Sequence, residues 1–190
     1  PTKDFLDRVQ ARAADLAGVD SRAEGIPLTA LNRIIDDSGY HYTWVSASVD
    51  RDSRTATITI KAPVDAVPDR VDAILAQGMD FWPIAMAREL DDAILMLRTN
   101  EDEAGVILLK AKGDGAAVLA ADAAMAANAD HWFLRETIGM IRRTMARLDV
   151  SSRSLFAIID EGSCFTGSLF ELALAADRSY MLDIPEKEGT

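Results

Sequence analysis

The chain has 190 residues, 49% of them hydrophobic, one cysteine and a formal net charge of −11. That apolar content supplies one sizeable core, while an acidic surface repels phosphate backbones and argues against nucleic-acid binding. Cys164 alone makes no internal disulfide, and with only His41 and His131 beside it a zinc site is not expected, so no metal is expected and a reducing, cytoplasmic setting fits.

In chain order, residues 4–17 read as a helix, because Phe5, Val9, Ala13 and Leu16 fall on one face and Gly18 is a natural stop. Residues 1–17 are charged throughout, unlike a signal peptide, and no apolar run is long enough to span a bilayer, so no membrane partner is expected. Residues 18–38 carry Gly25 and Pro27 and few periodic apolar positions, and read as a linker with a helical turn or two. Residues 42–49 alternate, Asp50-Arg51-Asp52-Ser53 is turn chemistry, and residues 55–60 alternate again. Together they predict an antiparallel hairpin. Residues 69–76 suit a short helix. Residues 84–98 suit a longer one, with Met86, Leu90, Ala93, Ile94 and Leu97 as its stripe.

Val106-Ile107-Leu108-Leu109 is a continuous apolar run closed by Gly113-Asp114-Gly115, which predicts a buried parallel strand over 105–112. Residues 116–127 are alanine-rich and predict helix in part. Leu134, Ile138, Ile141, Met145 and Leu148 predict a long helix over 131–148. Leu155–Ile159 reads as a second buried strand, 167–176 as a helix, and Arg178–Leu182 as a last short strand. Strands alternating with helices point to an α/β fold with right-handed crossovers. Both ends of the chain, Pro1 and the polar run 185–190, read as cuts through a longer polypeptide.

The chemistry concentrates in the strand–turn–helix from Leu155 to Asp177. Backbone N–H groups at a helix start have no intrahelical partner and can face a developing negative charge. Gly167 and Ser168 with Glu171 therefore suit half an oxyanion site with an acid or base beside it. Equally, Gly167 suits close packing and Glu171 suits a charge favoured by the helix dipole. Gly113-Asp114-Gly115 resembles a phosphate loop only weakly, lacking the third glycine of the dinucleotide fingerprint, and reads as a loop leaving a strand. Leu119-Ala120-Ala121-Asp122 reads as an ordinary helix start with Asp122 near its N-terminus. Ser163 and Cys164 have no histidine near them in sequence and make poor nucleophiles. His131-Trp132-Phe133 reads as a packed helix start, and the charged faces of 88–92 and 135–147 as solvated surface.

The order of these pieces carries a resemblance. A Gly-x-Gly loop is followed by Leu119-Ala120-Ala121-Asp122 and a long helix. Then come Ala157-Ile158-Ile159-Asp160 and Thr166-Gly167-Ser168-Leu169-Phe170-Glu171-Leu172-Ala173-Leu174-Ala175-Ala176-Asp177. This order resembles the crotonase (enoyl-CoA hydratase/isomerase) superfamily. The resemblance implies a crotonase-like fold of β-β-α repeats, present as a partial domain. It also implies an acyl-CoA substrate whose enolate oxygen is held by two backbone N–H groups. Those donors would fall near Leu119 or Ala120 and at Ser168 beside Gly167, with Glu171 in the position of a catalytic glutamate. The usual glycines are replaced at Ala120, Ser168 and Leu169, which suggests a remnant of the site.

Phe81-Trp82-Pro83, residues 87–95, 131–139 and 150–156 resemble the ring-opening lyases of that superfamily. These open 2,3-epoxybenzoyl-CoA with loss of formate in aerobic benzoate degradation. Such lyases carry two crotonase-like units, with paired catalytic glutamates in the first. On this reading residues 1–38 are the closing helix of a preceding unit plus a linker, and residues 39–190 open the second. The implied partners are the acyl-CoA substrate, the first unit and further copies in a homo-oligomer. No cofactor is implied, since coenzyme A enters as part of the substrate. A generic enoyl-CoA hydratase and a degenerate interaction module stay open as alternatives, as does whether Arg88, Arg135 or Arg142 meets CoA phosphates.

Overall fold

The structure, a computed structural model, describes residues 3–17 and 25–183. The stop expected at Gly18 and the polar run 185–190 lie outside the described residues. The first helix, α1 (Phe5–Ala17), forms as its spacing predicts, yet every residue in it is exposed, including Phe5, Val9 and Leu16.

The sheet begins inside the stretch read as a linker. β1 (Ile34–Asp36) and β2 (Gly39–His41) form a tight antiparallel hairpin. The Asp36 carboxylate accepts the Ser38 N–H at 2.8 Å and the Ser38 hydroxyl at 2.6 Å, which closes the turn. Gly39 sits at φ 134°, and a Cβ there would run into the Ala47 carbonyl. The helical spacing of Leu28, Leu31 and Ile34 thus loses to turn chemistry at Asp36-Asp37-Ser38-Gly39.

β3 (Val45–Asp50) pairs antiparallel with β4 (Thr55–Lys61), as the alternation predicts, and on its other side with β2. β4 then pairs parallel with β5 (Val106–Lys112), β5 with β6 (Ser154–Ile159), and β6 with β7 (Arg178–Met181). The described strands make one mixed seven-stranded sheet in chain order. Because each parallel strand is added in the same direction, crossovers of one hand put the helices that connect the parallel strands on one face. Burial agrees. Ala56, Ile58, Ile60, Ile107, Leu109, Ala111, Leu155 and Ala157 are buried, while the alternate positions Thr57, Leu108, Lys110, Phe156 and Ile158 are only part-buried. β5 and β6 are therefore covered on one face and not on both, which corrects the expectation of fully buried strands.

Between β4 and β5 lie α2 (Val71–Gln77) and α3 (Trp82–Asn100), the latter opened by Pro83 at its first turn. Between β5 and β6 lie α4 (Gly115–Ala127) and α5 (Trp132–Asp149). α6 (Phe170–Ala175), preceded by a single 3₁₀ turn over Gly167–Leu169, leads to β7. Met86, Leu90 and Ile94 of α3 pack on the sheet with Ile58 and Leu109. Ile84 and Ala87 of the same helix pack with Phe133, Leu134 and Ile141 of α5. Sandwiching explains why α3 is apolar on two sides.

Candidate functional site

The expected site lies at the C-terminal ends of β5 and β6. Gly113 leaves β5 at φ 125°, and a Cβ there would lie 2.8 Å from the Ala62 Cβ. Asp114 then caps α4, its carboxylate accepting the Ala116 N–H at 2.8 Å. Gly113-Asp114-Gly115 is thus a turn that starts a helix. Capping at Asp114 begins α4 earlier than expected. Leu119 and Ala120 fall in its second turn, where N–H groups belong to the helix's own ladder. Asp122 lies mid-helix and not at a helix start.

Two of the expected pieces do meet. The Thr166 hydroxyl donates to the Gly115 carbonyl at 3.2 Å. Ser168 donates its backbone N–H to Asp122 Oδ2 at 2.6 Å. Gly167 has φ 49°, and a Cβ on it would collide with that same carboxylate oxygen and lie 3.2 Å from Leu119 Cδ2. Asp122 Oδ1 and Ser168 Oγ are buried without partners among the described residues. The backbone donor expected to hold a substrate oxygen therefore holds an oxygen of the chain itself.

Glu171 stands in the first turn of α6, exposed. With Ser168 it borders an open groove of about 630 Å³, which α5 lines with Arg142, Met145 and Asp149. Arg135 is exposed, whereas Arg88 is committed to the Thr29 carbonyl at 2.6 Å.

Neither candidate nucleophile is poised. The Ser163 hydroxyl donates to Asp160 Oδ1 at 3.0 Å and accepts the Asp160 N–H at 2.9 Å, within its own turn. Cys164 is 2% exposed, and burial pushes its thiol pKa up. His131 caps α5 by accepting the Phe133 N–H at 3.3 Å, and His41 bonds Ser38 and Asp36 in the β1–β2 hairpin. Among the described residues no cluster of His, Cys, Asp or Glu is placed to hold a metal ion, and no helix is long and apolar enough to cross a membrane.

Sequence reasoning missed the carboxylates of α3. Residues 88–92 are not solvated surface. Glu89, 5% exposed, accepts the Trp44 N–H at 2.6 Å and the Val45 N–H at 3.0 Å. Asp92 accepts the Tyr42 hydroxyl at 2.7 Å and an Arg33 N–H at 2.8 Å, and Asp91 pairs with Arg147. Burial raises the Glu89 pKa above its ordinary value. Only recognising that α3 is covered on two sides would have flagged these positions. On the open face of the sheet, Asp160 receives both Lys110 and Lys112, and those lysines, Lys112 first, hold its carboxyl well below the usual carboxylate range.

No protein-family model matches the chain. A curated relative does. The chain is similar to benzoyl-CoA-dihydrodiol lyase of Aromatoleum evansii. The two are 54% identical over 188 residues, which is 97% of this chain and 34% of that protein. This chain therefore spans about a third of the length of the lyase it matches.

Proposed function

We propose that this chain is one unit of a carbon–carbon lyase that acts on an aromatic-derived acyl-CoA, opening the ring of 2,3-epoxybenzoyl-CoA with loss of formate. We further propose that this unit supports the enzyme and does not perform the chemistry. Identity of 54% along nearly the whole chain supports the first part. One observation carries the second: the Asp122 carboxylate occupies the Ser168 N–H at 2.6 Å. An oxyanion site works by keeping preorganised donors free for charge that develops during the reaction. A resident carboxylate removes the donor and repels a second negative oxygen. The other expected donor, near Leu119, belongs to the α4 ladder.

In this reading the fold is a crotonase-like unit in part, with residues 1–38 closing a preceding unit and 39–190 opening a second. The protein works in the cytoplasm as a homo-oligomer, needs no cofactor, and takes coenzyme A only as part of its substrate. The deciding experiment places Glu171→Gln in the longer lyase that carries this unit. Turnover within about threefold of the parent is expected. A loss of roughly a hundredfold or more, the scale of a general acid or base, would show that this unit holds the catalytic machinery.

A further inference from the structure

Glu89 is the most deeply buried carboxylate described, yet no cation pairs with it among the described residues. The Trp44 and Val45 N–H groups both donate to its Oε2. The neighbouring Arg88 attracts it only weakly, so this buried negative charge is held chiefly by neutral donors and carries a large desolvation cost that a cation in direct contact would offset.

Beside it lies a cavity of about 260 Å³ bounded by the segment 29–32, the turn at Thr43 and Trp44, Asp80 and the first half of α3. Leu31, Trp44, Met79 and Ala85 give it apolar walls, and Asp80 adds a second carboxylate. Arg88 also lines it, but its guanidinium is turned to the Thr29 carbonyl. The volume falls below the ~300–1,000 Å³ of sites for drug-sized ligands, so the occupant is small. A carboxylate floor suits a positive charge, and the indole of Trp44 with its apolar neighbours suits the short alkyl chain that carries it.

We infer that this cavity binds an ammonium group on a short alkyl chain, with Glu89 as its ion-pairing partner and Trp44 against its apolar part. The chemistry is the same whether the group belongs to a free amine or to a lysine side chain. Burial already makes the ionised form of Glu89 unfavourable, which a bound cation would relieve.

The test titrates n-butylammonium, n-butanol and Nα-acetyl-lysine amide into this chain and follows the Trp44 indole and the Thr43–Val45 amides by NMR. Saturable shifts with butylammonium and none with butanol are expected. Tighter binding of the lysine derivative would assign the source to a protein side chain, and tighter binding of butylammonium to a free amine. Glu89→Gln, which keeps an oxygen for the two backbone donors, should lose ammonium binding at least tenfold. Equal binding of butanol, or no shift with either amine, overturns the inference, and this comparison on the parent chain stands however the variant folds. Undiminished binding in a folded Glu89→Gln chain overturns it too.

Discussion

Removing the Glu89 side chain should be the most damaging single polar truncation in this fold. Glu89→Ala strips the acceptor from two backbone N–H groups at the start of β3, Trp44 and Val45. Each buried donor left unpaired costs about 1–3 kcal/mol. The adjoining cavity lets water reach one of them, so a total of about 2–4 kcal/mol is expected. For a chain of this size that lowers Tm by about 5–15 °C. Glu89→Gln keeps an accepting oxygen and should cost under about 1 kcal/mol at neutral pH.

The pH dependence has a definite sign. A carboxyl whose folded pKa is raised binds its proton more tightly when folded. Its contribution is fully present below the unfolded value, about 4.3, and is lost as pH rises through the raised folded value. Glu89→Gln does not titrate, so its stability should climb relative to the parent across that window. Urea unfolding of parent, Gln and Ala chains at several pH values measures all three quantities. An Ala variant within about 0.5 kcal/mol of the parent would refute the reasoning, because two lost acceptors would then carry no cost.

Three further outcomes follow from particular contacts. Gly167→Ala should destabilise by about 2 kcal/mol or more, from its φ of 49° and its collision with Asp122, whereas Gly105→Ala, with open space around it, should stay within about 0.5 kcal/mol in chemical denaturation. Asp160 has a lowered folded pKa, so its contribution is present above its unfolded value and fades as pH falls through the folded one. Asp160→Asn should remove that acid-side fall, read as a smaller change in urea midpoint between neutral pH and pH values under about 4. Cys164, at 2% exposure, should react with a thiol reagent only as fast as the chain opens. Bimolecular labelling of the native chain at the rate of a free thiol would contradict its burial.

Periodicity made most of the fold legible. Met86, Leu90 and Ile94 marked α3, and the alternation from Thr55 to Ile60 marked β4. What periodicity could not weigh was competition between local signals. Leu28, Leu31 and Ile34 carry helical spacing, yet Asp36 and Gly39 set a hairpin that recruits Ile34 and Ile35 into a strand. The meeting of residues 119–122 with 167–168 was legible through family resemblance alone. Its chemistry was not, because whether an N–H is free depends on where a neighbouring carboxylate reaches. Asp122 reaches Ser168 only once Asp114 has fixed the start of α4. Glu89 stayed hidden for a related reason: a carboxylate beside Arg88, Asp91 and Asp92 reads as surface until the start of β3 brings the Trp44 and Val45 N–H groups onto it.

The two halves of the sheet differ in how far the chain must travel to make them. β1 to β4 close over short turns, so each pairing restricts only a few residues before it is rewarded. β4 meets β5 only after residues 62–105 have been gathered in, and β5 meets β6 only after 113–153. Loop-closure entropy weights these events differently. By that weighting the antiparallel meander is the cheaper half to close, and the parallel half, with the Asp122–Ser168 contact, the costlier.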